Sequence, residues 1–166
     1  IFSRTTKRDV TTDWSQAIRK PHTITIELNE YEQDLYDTYL TDKCAEKGQT
    51  VADANPLFLS SIKKTLASSV IANTTDWEGK ISIPYDSKYE ALKEIIKDVV
   101  KNQGKKMIIF ATTIRTLYYL QHRLMLDKES ALLIYGGVKE RTNTVKQFQN
   151  SKSINILLSS EVGGEG

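Results

Sequence analysis

The chain has 166 residues, 39% of them hydrophobic and 27% charged, enough for one compact domain or for one domain with an attached subdomain. A formal net charge of +2 is too small to signal a polyanionic partner, so nucleic-acid binding has to be argued from local features. Cys44 is the only cysteine, which excludes an intrachain disulfide and a cysteine-rich metal site and fits a reduced cytoplasmic setting; no apolar run approaches the ~20 residues that span a bilayer.

Residues 1–27 begin with a basic stretch, Arg4, Lys7 and Arg8. Ile1-Phe2-Ser3-Arg4 carries neither a starting methionine nor a signal-peptide pattern, and Gly163-Gly164-Glu165-Gly166 follows directly on a strand-like run, so the chain reads as a cut piece. Thr23-Ile24-Thr25-Ile26-Glu27-Leu28 alternates with period two and predicts a half-buried strand. A helix is predicted from Glu30 to about Lys47, with Asn29 as N-cap and Glu32 completing a capping box. Asn55-Pro56 starts another, with Leu59, Ile62, Leu66 and Val70 on one face. Residues 73–86 lack helical periodicity and read as a connector.

Beyond the connector the pattern sharpens. Ser87 and Glu90 form a second capping box, followed by the stripe Leu92, Ile95, Ile96, Val99 and Val100, with Gly104 as the stop. Met107–Ala111 is a short apolar run, expected as a strand buried on both faces. A helix over 114–126 carries Leu117, Leu120 and Leu124 on one side. Leu132–Tyr135 is a second buried strand ending at Gly136-Gly137, and 138–149 a helix with Val138, Val145 and Phe148 inward. Ile154–Ser160 is a third strand. Alternating strands and helices at this spacing predict βαβ units and a parallel sheet with right-handed crossovers. Ligands of such sheets bind beyond the carboxyl ends of the strands, which here are Ala111–Arg115, Gly136–Lys139 and Ser159–Gly166.

The third of these segments places two hydroxyls and then a glycine-rich loop after a strand. That pattern fits a phosphate cradle, because glycine permits close approach and positive φ, but taken alone it fits a plain strand-to-helix turn better. No G-x-x-x-x-G-K-[ST] phosphate loop occurs, and no Asp-Glu pair follows a strand in a way that could hold magnesium. Lys63-Lys64 and Lys105-Lys106 read as solvated faces, His22 and His122 stand alone, and Trp14, Trp77 and the eight tyrosines read as core or interface residues.

Several of these segments carry a resemblance. Lys106-Met107-Ile108-Ile109-Phe110 with Thr112-Thr113 is similar to the fourth motif of superfamily-two helicases, in the Swi/Snf-related branch of double-stranded DNA translocases. Tyr135-Gly136-Gly137 with Glu140-Arg141 and Phe148 resembles that family's following segment, and Leu157-Leu158-Ser159-Ser160 through Gly163-Gly164 and Gly166 its fifth motif. Upstream, Arg4-Thr5-Thr6-Lys7-Arg8, Leu28 with Tyr31-Glu32 and Leu35-Tyr36, and Asp86-Ser87-Lys88 follow the family in register. Thr5 replaces a usual arginine, and Ala111-Thr112 replaces a common Ser-Gln.

The resemblance implies an α/β fold: a RecA-like parallel sheet flanked by helices, an incomplete helicase C-terminal domain over 87–166, with an inter-domain linker and helical subdomain over 1–86. It implies an ATP-dependent nucleic-acid motor whose ATP and Mg2+ are held mainly by a preceding N-terminal RecA-like domain, with double-stranded DNA as partner and no membrane. Nucleic-acid contacts would come from Thr112, Thr113, Arg115, Gly136, Gly137, Ser159 and Ser160, and a nucleotide-facing loop from Gly163, Gly164, Glu165 and Gly166. No catalytic residue falls in the chain, which alone should not hydrolyse ATP. Arg115 reads equally as a solvated charge, and Gly136-Gly137 more readily as a turn than as a contact. A non-catalytic RecA-like binding module is the rival reading.

Overall fold

The computed structural model describes residues 20–136 and 140–160. Helices α1 (Glu30–Ala45), α2 (Pro56–Ser68) and α3 (Val70–Thr74) come first. Helix α4 (Ser87–Ile96) runs on into a π-helical turn, Lys97–Asn102, and is followed by β1 (Met107–Ala111), α5 (Ile114–Leu126), β2 (Ala131–Ile134), α6 (Arg141–Asn150) and β3 (Ile156–Ser160).

The three strands form one parallel sheet in the order β1-β3-β2. The chain therefore goes out past the central position and comes back to fill it. Two crossovers of the same hand that reverse direction put their helices on opposite faces. That is the arrangement observed. Leu117, Leu120 and Leu124 of α5 pack with Ile156, Leu158 and Ala111 on one face, joined by Tyr89 and Ile96 of α4. Phe148 of α6 packs with Ile134 and Leu157 on the other. The RecA-like α/β fold read from the sequence is the fold found, and β3, buried at every position, is its centre.

The core does not stop at α4. Ile71 and Ala72 of α3 and Trp77 of the following segment belong to the same cluster as Tyr89, Leu117 and Tyr119. A second cluster, Leu40, Ile62 and Leu66, holds α1 against α2.

Several expectations need correction. No strand forms over Thr23–Leu28, and Ile24 is 47% exposed. Period-two alternation sets a preference, but a strand exists only with a ladder partner, and no described strand supplies one. Strand β1 is not buried on both faces, since Ile108 and Phe110 are 51% and 57% exposed. It lies at the sheet edge, and α6 covers only the β2–β3 half of that face. The apolar stripe from Leu59 to Val70 is not one helix: Ser69 is extended, at φ −168 and ψ 126, and N-caps α3 through Ala72 N. At α4 the N-cap is Asp86, which accepts from Tyr89 N, while Ser87 is the first helical residue. The capping box at Asn29 and Glu32 forms as expected. Helix α6 begins at Arg141; Val138 lies outside the described residues.

Candidate nucleic-acid interface

Because all three strands are parallel, their carboxyl ends share one edge. Ala111 stands opposite Ser160, and Ile134 opposite Ser159. Thr112 and Thr113 on one side and Gly136 on the other therefore flank the Ser159-Ser160 pair. Gly137, Gly163, Gly164, Glu165 and Gly166 lie outside the described residues, as do Arg4, Lys7 and Arg8.

The residues that converge on this edge differ in what their side chains are free to do. Thr113 is the N-cap of α5; its hydroxyl accepts from Thr116 N at 3.1 Å and lies 2.8 Å from Thr116 Oγ1. Ser159 is buried and donates to the Ser160 carbonyl at 3.1 Å. Strand alternation turns the Ser159 and Ser160 side chains to opposite faces of the sheet. Arg115 is committed along its whole guanidinium. Its Nε donates to Ala72 O at 2.6 Å, one terminal nitrogen to Thr75 O at 3.0 Å, and the other to Glu78 Oε1 at 3.1 Å. The same guanidinium stacks over Trp77 at 5.6 Å, while Trp77 Nε1 donates to Ala72 O at 3.0 Å. Arg115 thus closes the carboxyl end of α3. Thr112 is exposed, and among the described residues nothing hydrogen-bonds its hydroxyl.

At the β2 end, the Tyr135 hydroxyl meets that of Tyr118 at 2.6 Å, and this shared bond raises the Tyr118 phenol above its ordinary range. Gly136 follows as an exposed turn residue, and among the described residues no side chain caps the start of α6.

Sequence reasoning missed the groups that support this edge. Asp86 is buried and accepts from Tyr89 N at 2.8 Å and from the Tyr119 hydroxyl at 2.8 Å, with Ser69 Oγ at 3.3 Å. Burial first, then the Asp86 charge, pushes the Tyr119 phenol far up; burial and the bond to Asp127 do the same for Tyr89. Lys106, read as a solvated charge, instead donates to the carbonyls of Phe148, Gln149 and Ser151, closing the carboxyl end of α6. Its position just before an apolar strand gave no sign of that. Among the described residues no cluster of three or more His, Cys, Asp or Glu side chains could hold a metal ion, and no helix is long and apolar enough to cross a membrane.

Residues 87–166 match the family described as the helicase conserved C-terminal domain. The match covers just under half of the chain. A comparison with the curated proteins gives no match. Among solved structures the chain is similar to the C-terminal part of the Fun30 ATPase domain, with 16% identity and a TM-score of 0.58 over 84% of this chain and 68% of that one. It is similar to the Sulfolobus solfataricus SWI2/SNF2 ATPase C-terminal domain, with 16% identity and a TM-score of 0.59 over 80% of this chain and 59% of that one. It is also similar to the Sulfolobus solfataricus SWI2/SNF2 ATPase core in complex with dsDNA, with 17% identity and a TM-score of 0.61 over 81% of this chain and 29% of that one. Identities at this level speak for the fold.

Proposed function

We propose that the chain is the second motor domain of an ATP-driven double-stranded DNA translocase, with residues 1–86 as its linker and helical subdomain and 87–166 as its RecA-like domain. The carboxyl edge of the sheet meets the DNA backbone through the Thr112 hydroxyl and the backbone N–H groups around Gly136 and Ser160. Gly163 to Gly166 belong to the loop that faces the nucleotide. The observation that carries this reading is the convergence of Thr112, Gly136 and Ser160 on one edge of a helicase C-terminal domain. A fold neighbour solved in complex with dsDNA supports the choice of duplex.

The chain has no phosphate loop, and its described residues offer no metal cluster. On this reading ATP and Mg2+ are held mainly by a preceding RecA-like domain, and closure of the cleft between the two domains couples hydrolysis to stepping. Contacts of this kind position and stabilise charge; they supply no reacting group. The test is fluorescence anisotropy of a labelled duplex titrated with the 166-residue chain across a salt series. Affinity should fall steeply as salt rises, as counterion release requires. The chain alone should release no phosphate from ATP above background. Absence of duplex binding at low salt, or DNA-stimulated phosphate release by this chain, would overturn the reading.

A further inference from the structure

We propose that Asn73, on the short helix α3, is a positioning residue for the Thr112 contact, and that α3 is the part through which the helical subdomain sets the geometry of the DNA-facing edge. The inference rests on the reading of Thr112 as a backbone contact given above.

The geometry of the amide leaves it one orientation. Its Nδ2 lies 2.7 Å from Ser69 O and 3.1 Å from Thr65 O, both acceptors at the end of α2. Two carbonyls fix the nitrogen side, so Oδ1 faces the other way. There it accepts from the Thr113 hydroxyl at 3.4 Å. Nδ2 also lies 3.3 Å from Thr116 Oγ1, which in turn receives the Ser68 hydroxyl at 3.0 Å. Thr113 and Thr116 are the cap and first turn of α5, and the bonds that reach them from Ser68 and Asn73 cross at least 40 residues of sequence.

One turn of helix is therefore gripped twice by α3. Asn73 holds the Thr113 cap, and the Ala72 and Thr75 carbonyls hold Arg115. Thr112 lies between this gripped cap and Ala111, which is fixed in the β1–β3 ladder opposite Ser160. Both flanks of its backbone are set, while its own hydroxyl is left open. A side chain that touches no ligand can in this way fix the direction of one that does. The Asn73–Thr113 bond at 3.4 Å is the long member of the set, so the join can slip when α3 and α5 move relative to each other.

The experiment uses the whole 166-residue chain and a labelled duplex at low salt. Asn73→Leu keeps the volume and removes both halves of the amide, and should weaken duplex affinity by about 3- to 10-fold. Leu66→Ala, in the separate cluster with Leu40 and Ile62, serves as the control for lost stability and should leave affinity unchanged at temperatures where every variant is folded. The deciding readout is the double-mutant cycle. If Asn73 acts through Thr112, Asn73→Leu added to Thr112→Ala should change affinity no further. Full additivity, or an Asn73→Leu chain that binds like the parent, overturns the proposal. A Thr112→Ala chain that binds like the parent overturns the underlying contact instead, which the single variant reports by itself. Should the leucine variant not fold, Asn73→Ala, which removes the amide without adding bulk or charge, should give the same non-additivity.

Discussion

Glu32 of α1 holds Ser87, fifty-five residues further along the chain, by two bonds at once: Oε1 accepts the Ser87 N–H at 2.9 Å, and Oε2 accepts its hydroxyl. Oε2 also accepts the Asn29 N–H at 3.1 Å, so the carboxylate that completes the α1 cap reaches the first residue of α4 as well. The side chain is buried. A carboxylate out of water is tolerated only when such donors replace its hydration.

Removing it should therefore cost more than a surface change. Glu32→Ala leaves the Ser87 and Asn29 N–H groups without their partner and should destabilise the chain by about 2–4 kcal/mol; Glu32→Gln, which keeps one acceptor, by about half that. Urea denaturation midpoints measure both. Losses under about 0.5 kcal/mol would show that α1 is not fastened to α4 here.

Arg115 and Thr112 should separate cleanly. Arg115→Ala frees three α3-side partners and uncovers Trp77, a predicted loss of about 2–3 kcal/mol in stability. Thr112→Ala should leave stability within about 0.5 kcal/mol and act only on duplex affinity. Thermal melts and anisotropy on the same two variants check both halves. The reverse pattern would mean that the free and the committed side chains have been assigned the wrong way round.

How much of this was legible from the residues depends on the range of the interaction. The strand-helix alternation, the caps at Asn29 and Asn55 and the stripe of Leu117, Leu120 and Leu124 are local, and periodicity carries them. Arg115, Lys106 and Asn73 were not legible, because each has a partner 40 or more residues away that nothing in its neighbours marks. Met107–Ala111 reads the same whether a strand is central or at an edge; only strand order decides. Thr23–Leu28 shows the converse, a strand pattern that no described strand pairs with.

Lys106→Met should lose the carboxyl-end cap of α6 and cost about 1–2 kcal/mol, since three carbonyls share that ammonium. Hydrogen exchange of the last turn of α6 should rise with it. Unchanged exchange there would contradict the capping role.

Alkaline pH should unfold the protein early. Tyr89 and Tyr119 are raised well above the ordinary phenol range, so the folded state keeps protons that the unfolded state loses. Their contribution is complete below about pH 10 and declines above it, by roughly 1.4 kcal/mol per pH unit for each tyrosine. Tyrosinate absorbance should therefore show two of the eight tyrosines ionising only on unfolding. Tyr119→Phe should flatten the alkaline loss by about half. Ionisation of all eight before unfolding would contradict the buried Asp86–Tyr119 bond.

The most direct test of the account is hydrogen exchange of the 166-residue chain with and without a DNA duplex. Binding at the carboxyl edge predicts protection at 111–114, at Gly136 and at 159–160, with the amino ends of the strands at Met107, Ala131 and Ile156 unchanged. Protection at those amino ends instead, or no protection at any of these positions while the duplex is bound, would contradict it.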